Sequence, residues 1–365
     1  MLNYILWGPD PELFSLGILS VRWYGLLFAS GFLFGQWILT KIYKNEGRKP
    51  YEVDTFTLYA VLGTVVGARL GHCLFYSPEF YLSNPIEILK IWEGGLASHG
   101  AAIGILLATY FYYRKLKIIS YLWVVDRLVI VVALAGVLIR VGNFMNSEII
   151  GKPTEASFGI VFNNSAERQL TRNFTEEVAD VSFTKTNETT TYQGKTMPKL
   201  KMDVALNTHR IGSEKEALIF ANEYIYKLYT QSVRIDERHI MPLKDTETRV
   251  SASGGQYIVS MEVAGIARHP TQLYEAFSYL LIFLVLLFLY KKFQAETPDG
   301  LLLGLFLILI FGARFIWEFL KEVQVEKELE MNLNLGQQLS IPLILAGIAL
   351  VIRAIKLGKR EISET

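Results

Sequence analysis

The chain has 365 residues, 51% of them hydrophobic and 19% charged, with a formal net charge of +1. A balance this close to zero excludes a bulk polyelectrolyte partner, so no nucleic acid is expected. The single cysteine, Cys73, excludes an internal disulfide.

The N-terminal "MLNYILWGPDPELF" lacks a basic leader and a small-residue cleavage site, so no removable signal peptide is expected. Apolar runs of about 20 residues, the length that crosses about 30 Å of hydrocarbon, fall at 16–42, 54–76, 96–113, 121–141, 272–290, 300–319 and 339–355. The expectation is an all-α polytopic membrane protein with seven transmembrane helices. Lys41, Lys44, Arg48 and Lys49 follow the first span, and Arg114, Lys115 and Lys117 the third. Lys291 and Lys292 follow the fifth, and Lys356, Lys359 and Arg360 the seventh. All lie on one side if the N-terminus is outside and the C-terminus inside. Lys321 and Lys327, after the sixth span, weaken the contrast.

Residues 155–265 interrupt the apolar pattern with a segment rich in Thr, Asn, Glu and Lys. "FGIVF" and "QYIVSMEVAG" read as strands, and "SEKEALIFANEYIYKLY" as an amphipathic helix with an acidic start. This predicts an extracytoplasmic α+β head inserted between 1–154, which hold spans one to four, and 266–365, which hold the last three and a cytoplasmic tail.

Ionisable groups inside spans cost about 2.5–3.5 kcal/mol each on insertion scales, so each needs an inward-facing partner or a function. They are Arg22 and Tyr24 at the start of the first span, Arg69 and His72 in the second, and Asp126, Arg127 and Arg140 in the fourth. Tyr274 and Glu275 open the fifth, and Arg314 and Glu318 sit four apart in the sixth. Asp126 and Arg127 read as buried ion pairing, whereas Arg314 and Glu318 suit a self-satisfied pair and a site equally. Gly63, Gly67 and Gly71 recur every four residues, as close helix packing requires.

Three stretches point to chemistry. In "WEGGLASHGAAIG", glycines on both sides of His99 leave room around an imidazole that can exchange a proton near neutral pH. In "ARHPTQLYEA", Arg268, His269 and Gln272 surround a helix start at Pro270, and such an end attracts anions. In "RVGNFMNSEIIGKPT", a helix cap accounts for one Asn and one Gly, but not for Arg140, Asn143, Asn146 and Glu148 together. Spacing of three puts Arg140 beside Asn143 if the helix continues another turn. Guanidinium is shaped to hold phosphate through paired hydrogen bonds, and a phospholipid headgroup is the phosphate available at that depth. The chain has no phosphate-binding P-loop, nucleophile elbow, dinucleotide fingerprint or Cys/His cluster with metal spacing. No metal and no cofactor are expected.

"RVGNFMNSEIIGKPT" resembles the signature of the bacterial phosphatidylglycerol–prolipoprotein diacylglyceryl transferases. The likeness extends to "VRWYGLLFASGF", "GARLGH", "WEGGLASHGAAIG", "RHPTQLYEA", "GARFIWEFLKE" and "NLGQQLSIPLILAG", in the family's order, over nearly all of 16–355 except the insert. The resemblance implies a seven-span inner-membrane enzyme that moves the sn-1,2-diacylglyceryl group of phosphatidylglycerol to the lipobox cysteine of a preprolipoprotein, releasing glycerol 1-phosphate. It further implies that Arg140 binds the lipid phosphate, that Arg314 stabilises charge on the leaving phosphate, and that His99 is a candidate base for the thiol. Glu148, and direct loss of the proton to water or lipid phosphate, are rival acceptors. Tyr24, Asn143, Asn146, Glu148 and Gly151 match motif positions lining the site, with Gln272, Tyr274, Glu275 and Glu318 in support. The departure is the insert, much longer than the family's usual head. A lipid-moving transporter and a membrane scaffold are the alternatives. Against the transporter, the spans show no repeated halves and the polar groups gather at outer ends.

Overall fold

A computed structural model describes the chain except residues 1–3, 17–18, 92–93, 117–119, 234–237, 244–246, 323–327, 329–330 and 359–365. Lys117, Lys327, Lys359 and Arg360 of the orientation pattern, and Trp92 and Glu93 of the glycine-rich block, lie outside the described residues.

Strands β1 (Ile5–Trp7), β2 (Glu12–Leu16) and β3 (Leu19–Arg22) precede helices α1 (Trp23–Asn45), α2 (Pro50–Tyr76), α3 (Pro78–Ser83), α4 (Ser98–Leu116) and α5 (Tyr121–Met145). Next come β4 (Ile160–Phe162), α6 (Asn163–Asn173), β5 (Val178–Tyr192), β6 (Lys195–Leu206) and α7 (Glu214–Ile219). Strands β7 (Ile240–Pro242), β8 (Arg249–Ser253) and β9 (Gln256–Gly265) lead to α8 (Thr271–Phe293), α9 (Leu301–Trp317) and α10 (Leu335–Leu357).

Six described helices, α1, α2, α5, α8, α9 and α10, are long and apolar enough to cross a membrane, making this a multi-pass membrane protein. The expected third span forms a helix too, α4. Its polar ends, Ser98 and His99 at one and Arg114 and Lys115 at the other, keep it out of that set by composition.

The contacts divide the chain into two compact units. One comprises residues 26–139, 276–315 and 336–365. Its core is built from Tyr43, Phe56, Tyr112, Trp123, Ile130, Leu286 and Tyr290. The glycine stripe of α2 packs on α4 as the spacing requires: a Cβ on Gly67 would lie 2.4 Å from the Gly100 carbonyl oxygen. Gly100 and Gly104 are therefore close-packing residues, a correction to the reading that they leave open space around His99. Asp126 and Arg127 take separate partners. Asp126 accepts from the backbone N–H groups of Gly300 (2.7 Å) and Leu303 (2.8 Å), capping α9, while Arg127 pairs with Glu46 at 3.0 Å. Arg69 donates to the carbonyls of Glu87, Ile88 and Gly94, so it organises the loop before α4.

The other unit comprises residues 1–25, 140–275 and 316–335. Its antiparallel sheet runs β5-β6-β9-β7, with β8 also paired to β9. Alternating residues of β6 and β9, including Met202, Val204, Val259 and Val263, bury one face under Ala166 and Leu170 of α6 and Ala217 of α7. "QYIVSMEVAG" is β9, as expected; "FGIVF" supplies β4, which pairs in parallel with β1 outside the large sheet. The expected amphipathic helix begins where its sequence says, with the Ser213 hydroxyl accepting from Glu216 N–H at 3.2 Å. After Ile219 it widens into π-helical turns over Phe220–Ile225 and Leu228–Ser232.

Candidate functional site

The helix α5 continues one turn beyond the expected span end, to Met145, and that turn brings the polar residues of the opening motif together. Arg140 Nη1 donates to Asn143 Oδ1 at 3.2 Å, as spacing of three predicts. Asn143 Nδ2 in turn donates to Glu148 Oε2, and Asn146 Nδ2 to Glu148 Oε1, each at 3.3 Å. Asn143 thus links Arg140 to the exposed Glu148 carboxylate, which Asn146 also holds.

Behind Arg140 lies a charge cluster. Arg140 Nε is 2.9 Å from Glu275 Oε2, and Lys321 Nζ is 2.9 Å from the other oxygen, Oε1. Glu275 has no exposed surface and Lys321 is 4% exposed. Lys321 also pairs with Glu318 at 2.9 Å, and Glu318 accepts from Asn334 at 3.1 Å. Two cations and two carboxylates sum to zero charge, which makes their burial tolerable. Removing one partner would leave an uncompensated charge. The sequence reading named Arg140, Glu275 and Glu318 but missed Lys321. Its signal was available: it follows Glu318 by three at the polar end of an apolar run.

The turn 146–151 that follows α5 is strained and is held from outside. Ser147 (φ 51°) and Ile149 (φ 56°) adopt the left-handed conformation, which β-branched residues rarely do. Such residues cost about 1–3 kcal/mol each and persist where their surroundings over-determine them. Here six successive carbonyls are fixed. Asn146 accepts from Arg168 (2.8 Å), Ser147 from Ser165 (3.5 Å), Glu148 from Gln272 (2.6 Å) and Ile149 from Thr271 (3.0 Å). Ile150 accepts from Glu322 N–H (3.1 Å) and Gly151 from Arg268 (3.2 Å). Gly151 has no room for a side chain: a Cβ would sit 2.6 Å from the His269 carbonyl oxygen. Gly142 is similarly tight against Tyr24, whose ring a Cβ would approach to 2.9 Å, and Tyr24 lies within electrostatic reach of Arg140 and Glu148.

The "RHP" stretch proves to be scaffold rather than an anion site. Arg268 is 1% exposed and binds Glu322 at 2.6 Å as well as the Gly151 and Arg238 carbonyls. His269 Nδ1 meets the Tyr274 hydroxyl at 3.1 Å. Burial, with Lys195 nearby, holds that imidazole below the usual histidine range, so it is neutral at pH 7. Tyr274 packs on Trp317, ring centroids 5.1 Å apart.

Thus Tyr24, Arg140, Asn143, Asn146, Glu148, Gly151, Gln272, Tyr274, Glu275 and Glu318 all fall in one compact unit with Arg268, joined by Lys321, Thr271 and Arg168, which the sequence reading did not place at the site. His99 and Arg314 fall in the other unit. There His99 is exposed at the start of α4, with the rings of Phe75 and Tyr76 at 4.9 and 6.0 Å, and Arg314 is half-buried near the end of α9.

Comparison with known proteins adds independent information. A family model described as prolipoprotein diacylglyceryl transferase matches residues 11–353. A protein of Tolumonas auensis named phosphatidylglycerol–prolipoprotein diacylglyceryl transferase is 37% identical over 352 residues, covering 96% of this chain and 98% of its own length. Proteins of the same name from Chloroherpeton thalassium (33% identical; 98% of this chain, 97% of the relative) and Porphyromonas gingivalis (36%; 97% and 95%) are similar throughout. These matches run almost end to end, so the alignments take in the 155–265 segment.

Proposed function

The chain belongs to the prolipoprotein diacylglyceryl transferase family, and we propose how its residues carry out diacylglyceryl transfer from phosphatidylglycerol to prolipoprotein. The substrate thiol, in a lipobox peptide, attacks the glyceryl carbon that bears the phosphate. The C–O bond breaks as the thioether forms, and glycerol 1-phosphate leaves. This is the first step of lipoprotein maturation.

A thiol of ordinary pKa about 8.5 is mostly protonated at pH 7, and the thiolate is the nucleophile. The reaction therefore needs a proton acceptor and positive charge on the departing phosphate. Arg140 holds the phosphate, Arg314 is the second cation, and His99 takes the thiol proton, with Glu148 as its rival. Tyr24, Asn143, Asn146, Glu148 and Gly151 line the phosphate end, supported by Gln272, Tyr274, Glu275 and Glu318. The observation that carries this reading is the sharing of buried Glu275 between Arg140 and Lys321. Half of the carboxylate's charge answers Lys321, so Arg140 keeps positive charge for an incoming phosphate.

The protein sits in the inner membrane with its N-terminus and the 155–265 α+β head periplasmic and its C-terminus cytoplasmic. The supporting pattern is basic: Lys41, Lys44, Arg48 and Lys49 after α1, Arg114 and Lys115 ending α4, Lys291 and Lys292 ending α8, and Lys356 ending α10. A seventh span, α4, completes that topology. Its 19 residues reach about 28 Å at about 1.5 Å each, near the hydrocarbon thickness.

The test is lipidation of a lipobox peptide by membranes carrying the protein and supplied with phosphatidylglycerol, read by peptide mass and glycerol phosphate release. Wild type should be active and Arg140→Ala inactive while still inserted. An inserted but inactive wild type would overturn the transferase mechanism.

A further inference from the structure

Helix α6, which opens the long insert, reaches the strained turn at the proposed phosphate site. Its residues divide by face. Ala166 and Leu170, four apart, are fully buried in the core beneath the sheet, and the Tyr229 hydroxyl fixes the Ala166 carbonyl at 2.7 Å. Ser165 and Arg168, three apart, face the turn instead. Arg168 Nη2 donates to the Asn146 carbonyl at 2.8 Å and to Ser165 Oγ at 3.3 Å, and Ser165 Oγ reaches the Ser147 carbonyl at 3.5 Å. Asn164 adds a bond to the Pro9 carbonyl at 3.3 Å.

These contacts fall where the turn needs them most. Asn146 carries an amide that bonds Glu148, and Ser147, next to it, is one of the two left-handed residues. The Thr271, Gln272, Glu322 and Arg268 bonds hold the carbonyls of 148–151 only. Among the described residues, the bonds from α6 are the two restraints on the Asn146 and Ser147 carbonyls from outside the turn.

We propose that Arg168 is a positioning residue for transfer: from the insert, it holds the Asn146 carbonyl and so fixes Asn146 and Glu148 relative to Arg140. This rests on the transferase reading above and gives the insert a part in catalysis. The chemistry suits the task. A guanidinium presents several donors in a rigid fork, so one group can hold the carbonyl and the Ser165 hydroxyl together. Burial works against its charge, and the neighbouring Glu148 carboxylate works to preserve it. Misplacement of reacting groups by about 1 Å can cost about 100-fold in rate.

The test compares Arg168→Met, which keeps length but donates nothing, with Arg168→Lys, which keeps one charged donor, and with Arg172→Met, an exposed arginine on the same helix. Peptide lipidation is measured against phosphatidylglycerol concentration, and amide hydrogen exchange is followed across 146–151 and across β6 and β9. Arg168→Met should lose tenfold or more in kcat/KM, Arg168→Lys should recover much of it, and Arg172→Met should match wild type. Exchange should quicken in the turn and stay unchanged in the sheet strands. Wild-type activity in Arg168→Met, or unchanged exchange in its turn, would overturn the proposal, as would faster exchange throughout the sheet. An inactive wild type sinks the transferase reading instead, and the exchange result still decides whether Arg168 holds the turn.

Discussion

Lys321 offers the sharpest test of the buried charge cluster. Its ammonium lies 2.9 Å from both Glu275 and Glu318, at 4% exposure. Two such contacts attract by about 6 kcal/mol each at an effective dielectric of about 20, before the cost of desolvating the ions is charged against them. Lys321→Met removes one positive charge and leaves Glu318 without its lysine and Glu275 with Arg140 alone, so the cluster goes from zero to minus one. Breaking a buried pair from one side costs about 3–5 kcal/mol, and that is the loss expected. Glu318→Gln alone should also destabilise, since Lys321 then exceeds its partners. The double variant restores neutrality, so its loss should fall short of the sum of the singles by about 2 kcal/mol. Denaturing-detergent titration of the protein in mixed micelles measures all four corners of this cycle. The same single variant should raise KM for phosphatidylglycerol, because Arg140 then answers Glu275 alone. Additivity within about 0.5 kcal/mol would refute the coupling of Lys321 and Glu318 in one cluster, and an unchanged KM would refute the shared-carboxylate account.

Other perturbations separate scaffold from site. Burial of its Nδ1, with Arg268 and Arg168 nearby, holds the half-buried His239 imidazole well below the usual 6.5. The folded state therefore keeps it neutral while the unfolded chain takes up a proton below about pH 6.5. Stability is complete above that pH and falls as acid is added, by at most about 1.4 kcal/mol per pH unit. Unfolding free energies of wild type and His239→Leu between pH 7 and 5 should diverge in that sense, and parallel curves would count against it. Gly151→Ala should cost about 1–3 kcal/mol and activity, because the added Cβ meets backbone 2.6 Å away. Gly212→Ala, whose nearest neighbour is the carboxylate end of the Glu216 side chain at 3.6 Å, should be close to neutral in the same stability and lipidation assays. Gly67→Val drives a side chain into the Gly100 carbonyl at 2.4 Å and should destabilise by about 1–3 kcal/mol or more in the detergent titration.

Hydropathy and spacing made much of this legible. Apolar length located six spans, and the four-residue glycine period of α2 foretold its contact with α4. The three-residue step from Arg140 to Asn143 foretold their hydrogen bond. Partner choice was hidden, because it depends on groups distant in sequence. Arg127 is adjacent to Asp126 yet pairs with Glu46, since neighbours along a helix point in different directions. Arg268 looked like an anion ligand because its helix start was visible and its burial was not. Lys321 looked like a surface charge that blurred the orientation pattern, although its ammonium closes the cluster around Glu275. The part of α6 was hidden for the same reason: Arg168 meets Asn146 across 22 residues.

The role proposed for Arg140 sets two requirements that pull in opposite directions. A guanidinium at the end of a membrane-embedded helix needs a counter-charge to be inserted at tolerable cost. A phosphate-binding guanidinium must not be fully neutralised, or an incoming phosphate gains little by approaching it. A dedicated carboxylate would meet the first need and defeat the second. Glu275 meets both because its two oxygens are divided, one to Arg140 and one to Lys321, while Glu318 balances the surplus lysine charge. Neutrality is kept over the cluster rather than within each pair. The four charges come from three segments: Arg140 from α5, Glu275 from the start of α8, and Glu318 and Lys321 from just after α9. Loss of any one charge disturbs the whole cluster, so the proposed phosphate end of the site and the stability of this unit rest on the same four side chains.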